Sequence, residues 1–192
     1  MGGGDINRTR ALAQELVGLQ PDIIVTYGTP PTVAVRRETR TIPIVFAAVT
    51  DPVVSGLVQR LDRPSGNVTG FPTFEASVGG KWLELLSEIA PGLKRATVMF
   101  NPDAAPASAY IPSLETAARL LRIVLSTAPI HSDVEIETTI FAIGSEPGGG
   151  LVVMPDFFMT AHRASMILAA ARNNVPAVYW QSLFARDGGL LS

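Results

Sequence analysis

Four short apolar runs, each ending at a small or polar residue beside a proline, constrain the fold of this chain most strongly. Their ends read Tyr27-Gly28-Thr29-Pro30, Val49-Thr50-Asp51-Pro52, Phe100-Asn101-Pro102-Asp103 and Val153-Met154-Pro155-Asp156. Between the runs, apolar residues recur with helical spacing, as at Val78, Trp82, Leu85 and Ile89. Strands that alternate with helices predict βαβ units, and therefore an α/β fold of parallel sheets with both faces covered.

The composition narrows the class of protein. Of the 192 residues, 47% are hydrophobic and 17% charged, which predicts a folded core rather than disorder. The formal charge of −2 lacks the positive excess of a nucleic-acid binder, so no nucleic-acid partner is expected. No apolar run approaches the roughly 18 residues that a transmembrane helix needs, so no membrane insertion of this chain is expected.

The residues at the strand ends are candidate ligand contacts, because ligands of open α/β sheets bind outside the carboxyl ends of the strands. The hydroxyl of Thr29, with the amides beside it at a helix N-terminus, can bind a ligand carboxylate. Asp51 and Asp156 can accept from a ligand ammonium or hydroxyl, and Asn101 can donate or accept. Four aromatic residues near these ends are predicted to wall the pocket: Tyr27, Phe71, Phe157 and Tyr179.

A purely structural interpretation of the same polar residues stays open. Thr, Asp and Asn are preferred helix N-caps, so any one of them can serve only to begin a helix. Their recurrence at all four ends favours a site. Two ends precede the segment 63–71, a turn and short strand with glycine on both sides, and two follow it. This symmetry predicts two lobes that face each other across a cleft.

The sequence lacks the signatures of an enzyme. Its two histidines, His131 and His162, lie outside any H-E-x-x-H pattern, and it has no cysteine. A Walker A motif and a nucleophile elbow are also absent. We therefore expect no metal and no cofactor. His162 is predicted to lie at the solvent edge or cap a helix, and Thr160 to cap the helix after the fourth strand end.

Several motifs spread along the chain resemble those of one family. They are Pro21-Asp22-Ile23-Ile24-Val25, Gly28-Thr29-Pro30, Thr41-Ile42-Pro43-Ile44-Val45-Phe46, Asp51-Pro52-Val53, Gly66-Asn67-Val68-Thr69-Gly70-Phe71, Lys81-Trp82-Leu83-Glu84-Leu85-Leu86, Phe100-Asn101-Pro102 and Gly188-Gly189-Leu190. In combination they resemble the ABC transporter substrate-binding protein family typified by the tryptophan- and tyrosine-type binding proteins. The resemblance covers essentially the whole chain.

The resemblance implies a type I periplasmic-binding-protein fold, in which two Rossmann-like lobes are joined by hinge strands and close on a small molecule. Carried over position by position, it places Gly28, Thr29, Asp51, Asn101 and Asp156 on the cleft edges. The predicted domains are a partial N-terminal lobe at 1–66, a hinge strand at 67–71, a C-terminal lobe at 72–187 and a return to the hinge at 188–192.

The ends of the chain depart from the family pattern. Family members begin with a signal peptide and a βαβ unit ahead of the residues matched by Asp5, and they continue past Leu190. The chain is therefore expected to be a fragment whose first lobe keeps two core strands, with an exposed strand edge and weakened ligand affinity. The resemblance implies a periplasmic location for full-length members. A signal peptide is not recognised at the start of this chain, so its own location is left unassigned.

The favoured interpretation is the solute-binding component of an ABC importer. It binds an aromatic or other amino acid, closes, and docks on the permease without catalysis. One alternative is a small-molecule enzyme on a doubly wound α/β fold, with Asp51 or Asp156 as general base. Another is the effector domain of a transcriptional regulator, which would need a helix-turn-helix that the sequence does not show.

Overall fold

A computed structural model describes residues 6–64, 66–73, 77–103 and 107–192. The chain divides into two compact units. Unit 1 comprises Met1–Glu75 and Ala104–Ala109, and unit 2 comprises Ala76–Asp103 and Tyr110–Ser192. Each unit is an α/β layer structure with a parallel sheet, in agreement with the predicted fold class.

Unit 1 alternates helices and strands along the chain. Its elements are α1 (Ile6–Gly18), β1 (Ile24–Tyr27), α2 (Thr29–Glu38), β2 (Ile44–Val49), β3 (Val68–Pro72) and a 3-10 turn (Ala107–Ala109). The strands form one parallel sheet in the order β1-β2-β3. β3 covers the segment predicted as a hinge strand, and that hinge role stays a prediction.

The two faces of the unit 1 sheet differ. Ile24, Ile44 and Phe46 lie on the buried face, where they share a core with residues of α1 and α2. On the other face, Val25 and Tyr27 are exposed. Helices on both faces were predicted for the whole chain, but the described helices of unit 1 cover one face of its sheet. The reason is that α1 and α2 both pack on the face that carries Ile24, Ile44 and Phe46.

Unit 2 is the larger of the two. Its elements are α3 (Val78–Ile89), β4 (Arg95–Phe100), α4 (Ile111–Leu121), β5 (Val124–Pro129), α5 (Asp133–Gly144), β6 (Gly149–Val153), α6 (Phe157–Ala161), α7 (Arg163–Arg172), β7 (Ala177–Val178) and α8 (Ser182–Arg186). The four strands run parallel in the order β5-β4-β6-β7, and Leu191 adds a parallel bridge to Val178.

Both faces of the central strands of unit 2 are buried. Consecutive residues Val98 and Met99 of β4, like Val152 and Val153 of β6, are almost completely buried. Trp82 of α3 is buried too, as its position on the apolar face of that helix predicted. A continuous apolar strand of this kind is typical of a parallel sheet between two helical layers.

One predicted helix start in unit 2 is wrong. Thr160 was expected to cap a helix, but it lies inside α6, where its hydroxyl donates to the carbonyl oxygen of Asp156 at 2.9 Å. The N-cap is Asp156 itself, whose Oδ1 accepts from the Met159 amide at 2.6 Å. Asp156 precedes Thr160 and has an extended backbone, so it begins the helix one turn earlier.

Candidate functional site

The carboxyl edge of the unit 1 sheet carries a row of exposed aromatic residues. Tyr27 pairs in register with Ala47, which in turn pairs with Phe71. Side chains in register on neighbouring parallel strands lie on the same face, so the two rings flank the small Ala47 side chain. Tyr27 is 59% exposed and Phe71 74% exposed. This row therefore presents exposed aromatic side chains, and its predicted role as a pocket wall stays a prediction.

Gly28 and Thr29 connect this edge to α2. Gly28 has a φ of 86° and donates its amide to the carbonyl of Ala47 at 2.8 Å. The buried Thr29 hydroxyl accepts from the Thr50 amide at 3.0 Å, which joins the start of α2 to the residue that follows β2. Two prolines occupy the first turn of α2 and have no amide hydrogen, so the donors next to Thr29 are fewer than expected. The hydroxyl hydrogen of Thr29 is then the donor to consider for a ligand.

The backbone at the end of β2 is strained. Five described non-glycine residues have a positive φ, and three of them, Gln20, Arg122 and Asn174, follow the ends of helices, where such a φ is common. The other two are Ala48, at 55°, and Asp51, at 35°. A left-handed conformation costs a residue with a Cβ roughly 1–2 kcal/mol. Strain of this kind accumulates at functional sites.

The side chain of Asp51 is used locally. Its Oδ1 accepts from the amides of Val53 and Val54 at 3.1 and 3.0 Å, an arrangement that closes the turn after β2. This supports the structural interpretation of Asp51 as a cap, and a contact from the same carboxylate to a ligand stays a prediction. The register of β2 with β3 also shifts at this point, between Ala47 and Val49.

In unit 2, Asn101 and Asp156 form one buried network. The Asn101 amide donates to Asp156 Oδ2 at 3.0 Å, and its side-chain Nδ2 donates to the carbonyl of Ile130 at 2.7 Å. Asn101 Oδ1 accepts from the Asp103 amide at 2.9 Å. These bonds tie together the carboxyl ends of β4, β5 and β6. Both residues were predicted at a ligand site, and the structure brings them together.

The environment of Asp156 disfavours its charge. The carboxyl group is buried, with the residue 6% exposed. Burial raises the pKa of Asp156 to about 6, although hydrogen bonds from the Asn101, Met159 and Phe158 amides and the nearby His162 oppose that shift. Among the described residues, Lys and Arg side chains make no ion pair with it. A ligand cation would supply the missing charge.

The aromatic residues of unit 2 occupy two environments. Phe157, at the start of α6, is partly exposed. Tyr179 is 1% exposed and stacks on Phe184, with ring centroids 4.9 Å apart. Burial raises the pKa of Tyr179 to about 12. The structure therefore places the ring of Tyr179 in the core, and its predicted contact with a ligand stays a prediction.

Sequence reasoning missed the pairing of the histidines with acidic residues at this edge of unit 2. Nδ1 of His162 lies 2.9 Å from Oδ1 of Asp133, the first residue of α5. His131 lies beside Glu135, whose carboxylate accepts from the His131 amide at 2.6 Å. The sequence signal that could have located these pairs is the capping box Ser132-Asp133-Val134-Glu135, which marks a helix start. In the structure the Ser132 hydroxyl accepts from the Glu135 amide. It fixes the start of α5 beside both histidines.

Across the described ranges, no cluster of three or more acidic or histidine side chains is placed to hold a metal ion. No helix in those ranges is both long enough and apolar enough to cross a bilayer.

The sequence matches one family model almost end to end. The model is described as ABC transporter substrate binding protein, and it matches residues 2–192. A curated relative, the tyrosine-binding protein of Clostridioides difficile (strain R20291), is 34% identical over 115 residues. That match covers 60% of this chain and 33% of the relative.

Two solved structures are similar to the chain over nearly its whole length. A conserved domain protein from Vibrio cholerae O1 biovar El Tor str. N16961 has 30% identity and a TM-score of 0.87, over 97% of this chain and 62% of that one. An ABC domain in complex with L-Trp from Streptococcus pneumonia has 21% identity and a TM-score of 0.86, over 98% and 64%. At that identity the second likeness concerns the fold alone. The chain spans less than two thirds of the length of each of these proteins.

Proposed function

The chain belongs to the ABC transporter substrate-binding protein family, and from this membership we propose that it binds an aromatic or other amino acid for an ABC importer. The observation that carries the proposal is Asp156, a buried carboxylate at a strand end with no ion pair to Lys or Arg in the described residues. A buried charge needs a counter-charge, and the ammonium of an amino acid supplies one.

The exposed rings of unit 1 support an aromatic side chain as part of the ligand. Tyr27 lies on β1 and Phe71 on β3, with β2 between them, and both rings are exposed at the carboxyl end of the sheet. Stacking against such rings contributes about 0.5–1.5 kcal/mol beyond the burial of area. The tyrosine-binding relative, at 34% identity, is a further reason to test aromatic amino acids first.

The ligand carboxylate is assigned to the Gly28–Thr29 turn. The Thr29 hydroxyl accepts from the Thr50 amide, and this bond leaves its own hydrogen able to donate to the carboxylate. We propose the following ligand-binding residues: Tyr27, Gly28, Thr29, Asp51, Phe71, Asn101, Asp156 and Tyr179. Asn101 and Tyr179 act in this scheme mainly by holding neighbouring groups in place, because the Asn101 side chain bonds to the Ile130 carbonyl and the Asp103 amide, and the Tyr179 ring stacks on Phe184.

Isothermal titration calorimetry tests the proposal with ligands that lack one group at a time. L-tyrosine is expected to bind, whereas tyramine lacks the carboxylate and 3-(4-hydroxyphenyl)propionate lacks the ammonium, so both are expected to bind much more weakly. L-leucine reports on the aromatic requirement. Binding of the propionate as tightly as L-tyrosine would remove the role of Asp156, and the absence of binding by every amino acid would reject the proposal.

The enzyme alternative makes a separate prediction. A general base takes a proton from the substrate, and this alternative assigns that role to Asp51 or Asp156. We propose that no bond of the ligand is made or broken. Chromatography of L-tyrosine after long incubation with the protein is expected to recover it unchanged, and a product that disappears in Asp156→Asn would favour the enzyme.

We also propose the partner and the place of action. A family member of this kind delivers its ligand to an ABC permease, at the outer side of the cytoplasmic membrane. Co-purification with a candidate ABC permease, stronger in the presence of L-tyrosine than without it, is the expected result. Equal recovery with and without ligand would argue against ligand-dependent docking.

A further inference from the structure

Both histidines of the chain lie at the carboxyl edge of the unit 2 sheet, and both face carboxylates. His131 follows β5, with Nδ1 3.5 Å from Oε2 of Glu135 and Nε2 3.9 Å from Oδ2 of Asp103. His162 ends α6, with Nδ1 2.9 Å from Oδ1 of Asp133. Two imidazoles and three carboxylates are therefore gathered at one edge of unit 2.

Asp156 lies at the same edge and is held between two elements. Its oxygens accept from the Asn101 amide after β4 and from the Met159 amide of α6. His162 is the neighbour whose electrostatic interaction partly opposes the rise in the pKa of Asp156, and its ring stacks on Phe158 with centroids 4.1 Å apart. The guanidinium of Arg163 next to it is directed elsewhere, to Asp187 and the Thr160 carbonyl.

A buried carboxylate in this position has two ways to lose its uncompensated charge. It can bind a proton, or it can bind the ammonium of a ligand. The two carboxylate oxygens offer about four lone-pair sites, and the amides of Asn101, Met159 and Phe158 bond to them, so at least one site remains for either partner. The proton and the ligand ammonium therefore compete for the Asp156 carboxylate.

We propose that the unit 2 edge exchanges a proton on Asp156 for the ammonium of the ligand, so that the protein binds its ligand at neutral pH and releases it in mild acid. This inference rests on the proposed function and adds its regulation.

The size of the effect follows from competition between the two cations. With a pKa of Asp156 of about 6, roughly nine-tenths of the free protein carries the proton at pH 5 and almost none at pH 7.5. The affinity for an ammonium ligand then falls about tenfold between pH 7.5 and pH 5. Binding at pH 5 releases close to one proton per ligand.

Calorimetry with L-tyrosine at pH 7.5 and pH 5, in two buffers of different ionisation enthalpy, measures both quantities. We expect the tenfold loss and the proton release in the wild-type protein and in Asp187→Asn, a control that removes a different carboxylate of unit 2. In Asp156→Asn, binding is expected to be weaker at pH 7.5 and independent of pH. Equal wild-type affinity at both pH values overturns the inference and leaves the proposed function intact, and so does a pH dependence that survives in Asp156→Asn.

A second measurement needs no ligand. The amide resonances of Asn101 and Met159 report on the Asp156 carboxylate, and we expect both to shift with a common midpoint near pH 6. A midpoint near the ordinary value of about 4 overturns the inference whatever the ligand. If the midpoint lies near 6 but no amino acid binds, Asp156 still takes up a proton in mild acid. The exchange with a ligand is then overturned, together with the proposed function.

Discussion

At the carboxyl edge of the unit 1 sheet Tyr27 and Phe71 lie exposed, whereas at the same edge of the unit 2 sheet Asn101 and Asp156 are buried in a network of hydrogen bonds. Each edge has an aspartate shortly after a strand and beside a proline. Asp51 closes an exposed turn, and Asp156 joins two strand ends away from water. The first edge has exposed aromatic rings, whereas the second has a buried carboxylate that makes no ion pair with Lys or Arg among the described residues.

The same sequence signature, an aspartate beside a proline after a strand, therefore produces an exposed turn in one unit and a buried carboxylate in the other. A carboxylate costs little where water remains, and several kcal/mol where it is removed from water without a partner. The substitutions below test this contrast. Both tryptophans, Trp82 and Trp180, belong to unit 2, so their fluorescence follows unit 2, while hydrogen exchange of β1 and β2 amides follows unit 1.

The largest effect is expected for Asp156→Ala. It removes the acceptor of two buried amides, those of Asn101 and Met159, and an unsatisfied buried donor costs about 1–3 kcal/mol. Unit 2 should lose about 2–4 kcal/mol of stability at pH 5, measured by urea unfolding with tryptophan fluorescence. A loss below about 1 kcal/mol would mean that the network does not hold the strand ends together.

The stability of unit 2 should fall as pH rises from 4 to 7. Because burial raises the pKa of Asp156 to about 6, the folded state holds its proton over a range in which the unfolded state has released it. The stabilisation is complete below about pH 4 and is lost as pH passes 6, by on the order of 2–3 kcal/mol. Asp156→Asn should flatten this part of the pH profile. An unchanged profile in the variant would assign the proton to another group.

A smaller loss is expected for Asp51→Ala, the matched change in unit 1. This turn is closer to water, so the amides of Val53 and Val54 can bind water instead, and the cost should be about 0.5–1.5 kcal/mol. Hydrogen exchange of unit 1 amides measures it. A loss as large as that of Asp156→Ala would show that the two edges do not differ in the way described.

Ala48→Gly is expected to stabilise unit 1 slightly. Glycine removes the strain of a φ of 55°, and the greater freedom of glycine in the unfolded chain offsets part of the gain, which leaves up to about 1 kcal/mol. Slower hydrogen exchange of the β2 amides would show this gain in stability. Faster exchange would indicate that the methyl group of Ala48 contributes packing that outweighs the strain.

The smallest effect on stability is expected for Tyr27→Ser and Phe71→Ser. Exposed side chains of this kind change stability by about 0.5 kcal/mol or less. Their effect should appear in ligand affinity instead, as a loss of tenfold or more for L-tyrosine and a smaller one for L-leucine. Unchanged affinity in both variants would show that the aromatic row is not a ligand surface.

The alternation of strands and helices could be predicted because it depends on local patterns of apolar residues. Val152 and Val153 are consecutive and apolar, and the structure buries both, as a strand between two helical layers requires. The candidate residues at strand ends could also be found, since parallel strands bring their ends to one edge.

The burial of side chains near the strand ends could not be predicted, because it depends on neighbours that are distant in the sequence. Tyr27 and Tyr179 both lie near strand ends, yet one is exposed and the other stacks on Phe184. The bond from Asn101 to Ile130 spans 29 residues, and local reasoning did not foresee it. Thr160 shows the same difficulty within one helix turn, because the residue that caps the helix, Asp156, lies four residues before it.

The exposed face of the unit 1 sheet bears on how this protein is made. Val25, Tyr27 and Phe71 project from strands that leave the ribosome before most of unit 2, and domains tend to fold in that order. An apolar strip on a nascent sheet attracts chaperones and other strands alike. We therefore expect the yield of folded protein to depend on chaperone supply and growth temperature more than the stability of the finished molecule would indicate.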